Sequence, residues 1–206
     1  VYPYMLAMAA IVIASNFLVQ YPVNYTLGPL VLSDLLTWGA FTYPIAFLVT
    51  DFSNRQFGPS KARLIVLIGF VIAVALSIFV ATPRIAIASG TAFIVAQFLD
   101  VSIFDRLRHQ ARWWQAPLVS SVLSSILDTL LFFALAFAAV FAVLGANDAF
   151  AIELAPLVGI FSMEAPRWAS WALGDLGVKL LVSMLMLVPY RLLLGLFQPP
   201  AIGAKS

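Results

Sequence analysis

The chain has no cysteine and a single histidine, His109, in 206 residues. The first absence excludes disulfides, thiolate metal sites and a cysteine nucleophile. The second excludes a metal centre built from several histidines, and no metal or cofactor is expected. Charge is also scarce: Asp, Glu, Lys and Arg make up 10% of the chain, against about a quarter in ordinary soluble domains. Hydrophobic residues supply 63%, and the mean hydropathy is +1.04. So few charges cannot cover a water-facing surface. A soluble enzyme, a disordered regulator and a disulfide-stapled secreted domain are therefore excluded, and an integral membrane protein remains. Eleven basic against nine acidic residues is too small a surplus to indicate nucleic-acid binding.

A membrane-crossing helix uses about 20 residues, so the length suits one all-α polytopic domain, 1–206, without a separate soluble part. The first 33 residues carry no charge. They lack the basic front end of a cleavable signal and are read as a retained first span. Apolar runs predict six transmembrane helices, near 4–20, 34–50, 64–82, 85–104, 113–146 and 168–197. Residues 21–33 form a loop or a re-entrant stretch, and 147–167 an interfacial helix. The successive connections hold 0, 3 (Arg55, Lys61, Arg63), 1 (Arg84), 3 (Arg106, Arg108, Arg112) and 1 (Arg167) basic residues, and the tail region adds Arg191 and Lys205. High and low values alternate, and the positive-inside rule places both termini in the cytoplasm. Trp113, Trp114 and Trp168 fall at the expected interfaces.

Three ionisable residues lie inside apolar runs: Asp128 in the fifth span, Asp175 and Lys179 in the sixth. A charge at mid-bilayer costs about 2.5–3.5 kcal/mol even on the lenient insertion scale, so such groups face a bundle interior or a polar cavity. Asp175 and Lys179 are spaced i,i+4 and share a helix face. At the helical rise, all three fall at comparable depth. An ion pair that only fixes packing would explain two of them; the third leaves an unpaired carboxylate and favours function. Ser121, Ser124, Ser125 and Asp128 make one polar stripe on the fifth span. Asn16, Gln20, Thr37 and Gln97 are further polar residues in spans, for which interhelical hydrogen bonding is the plain alternative. In the segment from Asp51 to Gly58, Asp51 and Arg55 are four apart and can pair, with Gly58-Pro59 ending the helix. It is either a structural hairpin or a gating latch.

Together these segments resemble the queuosine precursor transporter family, within the broader vitamin-uptake-transporter group. The likeness runs from Ser15-Asn16 through the last helix. Its most specific stretches are Thr37-Trp38-Gly39-Ala40-Phe41 leading to Thr50-Asp51, Arg55 and Phe57-Gly58; Arg84-Ile85-Ala86 leading to Gln97-Phe98-Leu99-Asp100-Val101; Phe104-Asp105-Arg106-Leu107-Arg108 with Arg112-Trp113-Trp114; Asp128-Thr129-Leu130; and the Asp175-to-Lys179 spacing. It departs at Asp34-Leu35-Leu36 and over 148–164.

The resemblance implies import of 7-cyano- and 7-aminomethyl-7-deazaguanine across the bacterial inner membrane, with a purine-like small molecule and the lipid bilayer as partners and no nucleic acid. A homodimer is compatible with so small a carrier. For such a substrate, Asp128 or Asp175 would accept the adjacent N–H donors of the guanine-like edge. Asn16, Gln20 or Gln97 would read the carbonyl and ring nitrogen, Trp38 or Phe41 would stack on the base, and Lys179 would keep its neighbouring acid ionised. The rival class is the substrate-binding membrane subunit of an energy-coupled vitamin importer. An intramembrane enzyme fits poorly: Gly174-Asp175 lacks the preceding glycine of an aspartyl-protease motif, and His109 lies in a loop.

Overall fold

In the computed structural model, residues 1–109 and 112–197 are described. Helix α1, Tyr2–Leu18, carries no charge and has proline in its first turn, where the missing N–H costs nothing. A small hairpin follows, β1 (Thr26–Leu27) against β2 (Leu30–Val31). Next come α2 (Gly39–Thr42) and α3 (Ile45–Phe57), interrupted at Pro44. Gly58, at φ +81°, turns the chain directly into α4 (Pro59–Val80). Only glycine adopts that backbone without strain. Thr82 caps α5 (Pro83–Leu107), its hydroxyl accepting from Ile85 N at 3.4 Å. Helix α6 (Gln115–Phe137) is followed by a short 3-10 segment, then α7 (Ala149–Ile152) and a second hairpin, β3 (Leu154–Pro156) with β4 (Glu164–Pro166). The last helix, α8, spans Arg167–Phe197.

Helices α4, α5, α6 and α8 are long and apolar enough to cross a membrane, and the chain is a multi-pass membrane protein. Helix α1 has 17 residues, and α2–α3 is divided at Pro44, where a missing N–H and a bulky ring break the hydrogen-bond ladder. Side-chain ties fix the directions of the six legs. Tyr4 donates to Gln56 (2.9 Å), Thr50 meets Gln97, and Arg55 meets Tyr190. One end of the bundle therefore gathers the N-terminus, the α3–α4 turn, the α5–α6 connection and the end of α8, with most of the arginines. The other end carries both hairpins.

Several sequence expectations are corrected. The second leg begins at Gly39, not at residue 34, and it continues to Phe57. The segment around Asp51 is thus helix, with Asp51, Ser53 and Asn54 buried, rather than a connection. The fifth span stops at Phe137 instead of near 146. Arg84, 4% exposed, is the reason: it donates to the carbonyls of Leu135 (2.9 Å) and Ala138 (2.7 Å) and to Asn147 Oδ1 (2.9 Å). It thereby caps the C-terminal carbonyls that a continuing helix would have used. Residues 147–167 form a short helix and a hairpin, not an interfacial helix. Lys205, counted with the tail, lies outside the described residues, as do residues 110 and 111 of the α5–α6 connection.

The largest core cluster joins Met8 and Val12 of α1, Ala46 of α3, Ile65 and Val66 of α4 and Phe93 of α5. Gly69 lets α1 and α4 approach: a Cβ there would sit 2.7 Å from Met8 Cγ. A second cluster packs Val23 and Leu36 of the first hairpin segment onto Val178 and Val182 of α8. The third, at the arginine-rich end, contains Phe52, Phe104, Ala116, Tyr190 and Leu194. The cavity described next lies between the second and third clusters.

Candidate functional site

Helices α6 and α8 run antiparallel and bring the three intramembrane charges together. Lys179 Nζ lies 2.6 Å from Asp128 Oδ2 and 2.5 Å from Asp175 Oδ2. Thr129 Oγ1 donates to the same Asp175 oxygen (2.8 Å) and accepts from Lys179 (3.3 Å). Tyr43, beside the Pro44 break, donates to Asp128 Oδ1 at 3.4 Å and places its ring 5.5 Å from the ammonium. The three donors of Lys179 are thus all used. Breaking such a buried pair by removing one partner costs about 3–5 kcal/mol. Two carboxylates and one ammonium leave a net charge of −1. Lys179 and Asp128 are buried, while the Asp175 side chain keeps 17% of its surface open.

The trio forms the floor of a cavity of about 570 Å³, within the range of small-molecule sites. It opens toward the hairpin end: Ser33, Asp34, Leu35 and Leu36 line one bank, Phe150 and Arg167 the other. Arg167 is held by Glu153 (3.2 Å) and lies over the Phe150 ring at 4.5 Å. Phe132, Phe133, Phe137 and Trp171 make an apolar wall. Trp171 meets Phe137 edge-on at 5.5 Å. Because Phe132 is one turn from Asp128 and Trp171 one turn from Asp175, the helical period sets aromatic surface beside each carboxylate.

Of the residues singled out from the sequence, Asp128, Asp175, Lys179, Asn16 and Thr37 line this cavity. Asn16 Nδ2 is taken by Val12 O (2.9 Å), so its carbonyl oxygen is the end left for a ligand. The others do not line it. Gln20 is exposed, its amide directed to Asn16 O at 3.4 Å. Trp38 is 41% exposed and leans on Phe41 at 5.6 Å, while Phe41 packs against the Val23–Leu36 cluster. Gln97 is wholly buried and engaged by Thr50 at 2.8 Å. The aromatic wall expected from Trp38 and Phe41 is thus supplied by α6, α7 and α8. The missed signal was the i±4 spacing of Phe132 and Trp171 from the two aspartates.

The expected Asp51–Arg55 ion pair is not among those of the described residues. Arg55 Nε instead donates to Tyr190 Oη at 2.6 Å, and its guanidinium lies 5.6 Å from the Phe104 ring centre. Tyr190 is stacked on Phe52 at 4.8 Å and lies parallel to Trp113 at 6.5 Å. These rings pack together at the arginine-rich end. Asp100, which the sequence offered only as part of a motif, is completely buried against Asp51.

Two overlapping segments, residues 37–81 and 75–193, match the family model described as putative vitamin uptake transporter. The chain is 35% identical over 209 aligned residues to the queuosine precursor transporter of Escherichia coli (strain K12), which covers 90% of this chain and 82% of that protein. It is 38% identical over 138 residues to the probable queuosine precursor transporter of Haemophilus influenzae, covering 53% and 58% respectively. No solved structure matches.

Proposed function

The chain belongs to the putative vitamin uptake transporter family, and on that premise we propose that it imports queuosine precursors across the bacterial cytoplasmic membrane. It acts as one six-span domain with both termini inside. The arginines gathered at one end of the bundle support that orientation under the positive-inside rule. The cavity then faces outward, and the Tyr190 stack closes the cytoplasmic side.

The observation that carries the reading is the carboxylate–ammonium–carboxylate trio on the floor of an aromatic-walled cavity. A 7-deazaguanine presents two adjacent N–H donors on its pairing edge and two flat faces. Lys179 and Thr129 both occupy Asp175 Oδ2, which leaves Oδ1 for those donors. A hydrogen bond to a charged acceptor contributes about 1.5–3 kcal/mol. Asn16 offers its carbonyl oxygen from the opposite bank, and Trp171 and Phe137 offer ring surface. The net charge of −1 on the trio favours the cationic aminomethyl precursor over the neutral cyano one. Arg55 and Tyr190 form the gate through which the base leaves.

The test is uptake of labelled 7-aminomethyl-7-deazaguanine by liposomes holding the purified chain alone. Saturable uptake is expected, lost in Asp128→Asn and Asp175→Asn while both proteins stay folded in the membrane. Normal uptake by both variants would remove the binding role. Substrate binding without flux in the wild type would favour a subunit that needs an energy-coupling module.

A further inference from the structure

A second acidic cluster lies in the seam between α3 and α5, and the substrate reading leaves it unused. Two ties set the register: Thr50 to Gln97 at 2.8 Å, and Asn54 Nδ2 to Val101 O at 2.9 Å. Between them Asp51 and Asp100 meet side chain to side chain, with the Ser120 hydroxyl of α6 beside both. Asp51 is 2% exposed and Asp100 0%. As two carboxylates they lack donors: Asp51 Oδ1, both oxygens of Asp100 and the neighbouring Asn54 Oδ1 are unpaired. The Ser120 hydroxyl, also 3.4 Å from Pro117 O, carries one proton and can satisfy at most one of these acceptors. Unpaired buried acceptors are rare in folded proteins and ask for a missing partner.

Charge leads to the same place. The groups facing the pair are Arg55 on its own helix, Ser120 on α6 and Tyr190 on α8. Arg108 is engaged by Asn54 O and Asp105. One guanidinium against two carboxylates leaves one negative charge over in a buried place. The carboxyls meet directly, so the partner that fits between them is a proton, which turns a contact between two acceptors into a hydrogen bond. A route to the pair exists. A void of about 10 Å³, room for a single water, is lined by Asp51, Ser121, Ser183 and Tyr190. Ser183 is bonded to Lys179 O at 2.8 Å, and Ser121 lies two turns along α6 from Asp128.

We propose that Asp51 and Asp100 form a proton-binding site separate from the substrate cavity, and that its occupancy releases the Arg55–Tyr190 closure. In the state described, Arg55 is bonded to Tyr190 and lies one turn from Asp51, whose charge, with that of Asp100 behind it, attracts the guanidinium without an ion pair. One proton removes one of those charges, loosens Arg55, and lets base and proton leave together on the cytoplasmic side. The inference rests on the carrier reading above, with one proton entering per base.

The experiment uses the purified chain in liposomes loaded with a pH-sensitive dye and given 7-aminomethyl-7-deazaguanine outside. The wild type is expected to acidify the lumen on substrate addition. An inward proton gradient should raise accumulation at least tenfold. Asp100→Asn should keep base-for-base exchange but lose that gradient-driven accumulation, and Asp51→Asn serves if the first variant does not fold. Flux without acidification overturns the proposal even if no variant folds, as does uptake that follows sodium. Absence of base exchange in the wild type instead overturns the carrier reading.

Discussion

Around Asp128 and Asp175 each carboxylate meets an ammonium at 2.5–2.6 Å, and the group opens on a cavity of about 570 Å³. Around Asp51 and Asp100 there is no ammonium among the described residues, three of the four carboxylate oxygens lack a partner, and the adjoining void has room for one water. Both clusters sit among helices in a multi-pass protein, and both carry more acid than base. What separates them is access. The first group, the outer one under the proposed orientation, has its charges balanced to within one unit and opens on space for a ligand the size of a base. The second pair, the inner one under the same orientation, is buried beside a void with room for one water, so its partner must be as small as a water or a proton. A bundle with one large, nearly balanced site and one small, unbalanced site has the parts needed to bind cargo and driving ion separately.

The strongest test of this contrast is Lys179→Met. It leaves Asp128 and Asp175 facing each other without their shared cation, a loss of about 3–5 kcal/mol. A large drop in the thermal unfolding midpoint in detergent is expected, with uptake abolished. Adding Asp128→Asn to that variant should recover most of the stability but none of the uptake, because replacing a whole buried pair is far cheaper than breaking it. If Lys179→Met alone is as stable as the wild type, the outer trio is not the balanced unit described.

Next in size is Tyr190→Phe, which keeps the ring stacked on Phe52 but removes the 2.6 Å hydrogen bond from Arg55. A hydrogen bond to a charged group contributes about 1.5–3 kcal/mol, and 1.4 kcal/mol is about a tenfold change in an equilibrium. The closed state should therefore lose about tenfold in population. The chain has no cysteine, so Ser121→Cys gives a clean reporter in the void below the trio. Its labelling from the cytoplasmic side by an impermeant thiol reagent should quicken about tenfold in the Tyr190→Phe background. Unchanged labelling would mean that Arg55 and Tyr190 do not close this end.

The two clusters were unequally legible in the sequence, and the reason is physical. Asp128, Asp175 and Lys179 each stand alone in an apolar run, where a charge is costly enough to demand an explanation. Asp51 stands beside Ser53, Asn54 and Arg55, which look like the end of a span, and Asp100 lies four residues before the end of the run 85–104, ahead of Asp105-Arg106. Their burial is produced by α5, α6 and α8 packing around α3, which no local pattern records. The same limit applied to α6: the apolar run 139–146 reads as helix, and only the partners of Arg84 show that the helix has ended. The all-helical, membrane-spanning character, by contrast, followed from the long apolar runs, four of which form helices long enough to cross a membrane. The break at Pro44, which places Tyr43 against Asp128, lies inside the run 34–50, which reads as one span in the sequence.

A smaller effect probes the walls of the outer site. Trp171→Leu keeps apolar volume but removes a flat face and its edge contact with Phe137. Aromatic pairs contribute about 0.5–1.5 kcal/mol beyond area. With stacking equal in ground and transition states, KM for uptake should rise about two- to tenfold at constant maximal rate. A fall in maximal rate alone would place Trp171 in the moving parts rather than in the base-binding wall.

The smallest effect belongs to Trp38→Ala, and it fixes the boundary of the outer region. Tryptophan in a short aromatic motif is an obvious candidate for stacking on a heterocycle, and the sequence reading gave Trp38 that role. Its ring is 41% exposed, rests on Phe41 and lies outside the cavity lining, whereas Trp171 is within it. Substitutions at exposed sites without such contacts usually stay within about 0.5 kcal/mol, so KM should move by less than about threefold. Measured side by side in the same liposomes, Trp38→Ala and Trp171→Leu should differ clearly in KM. If Trp38→Ala has the larger effect, the base lies nearer the first hairpin than Asp175 and Trp171 place it. The trio would then be a structural ion cluster, and the contrast with the buried pair would lose its functional half.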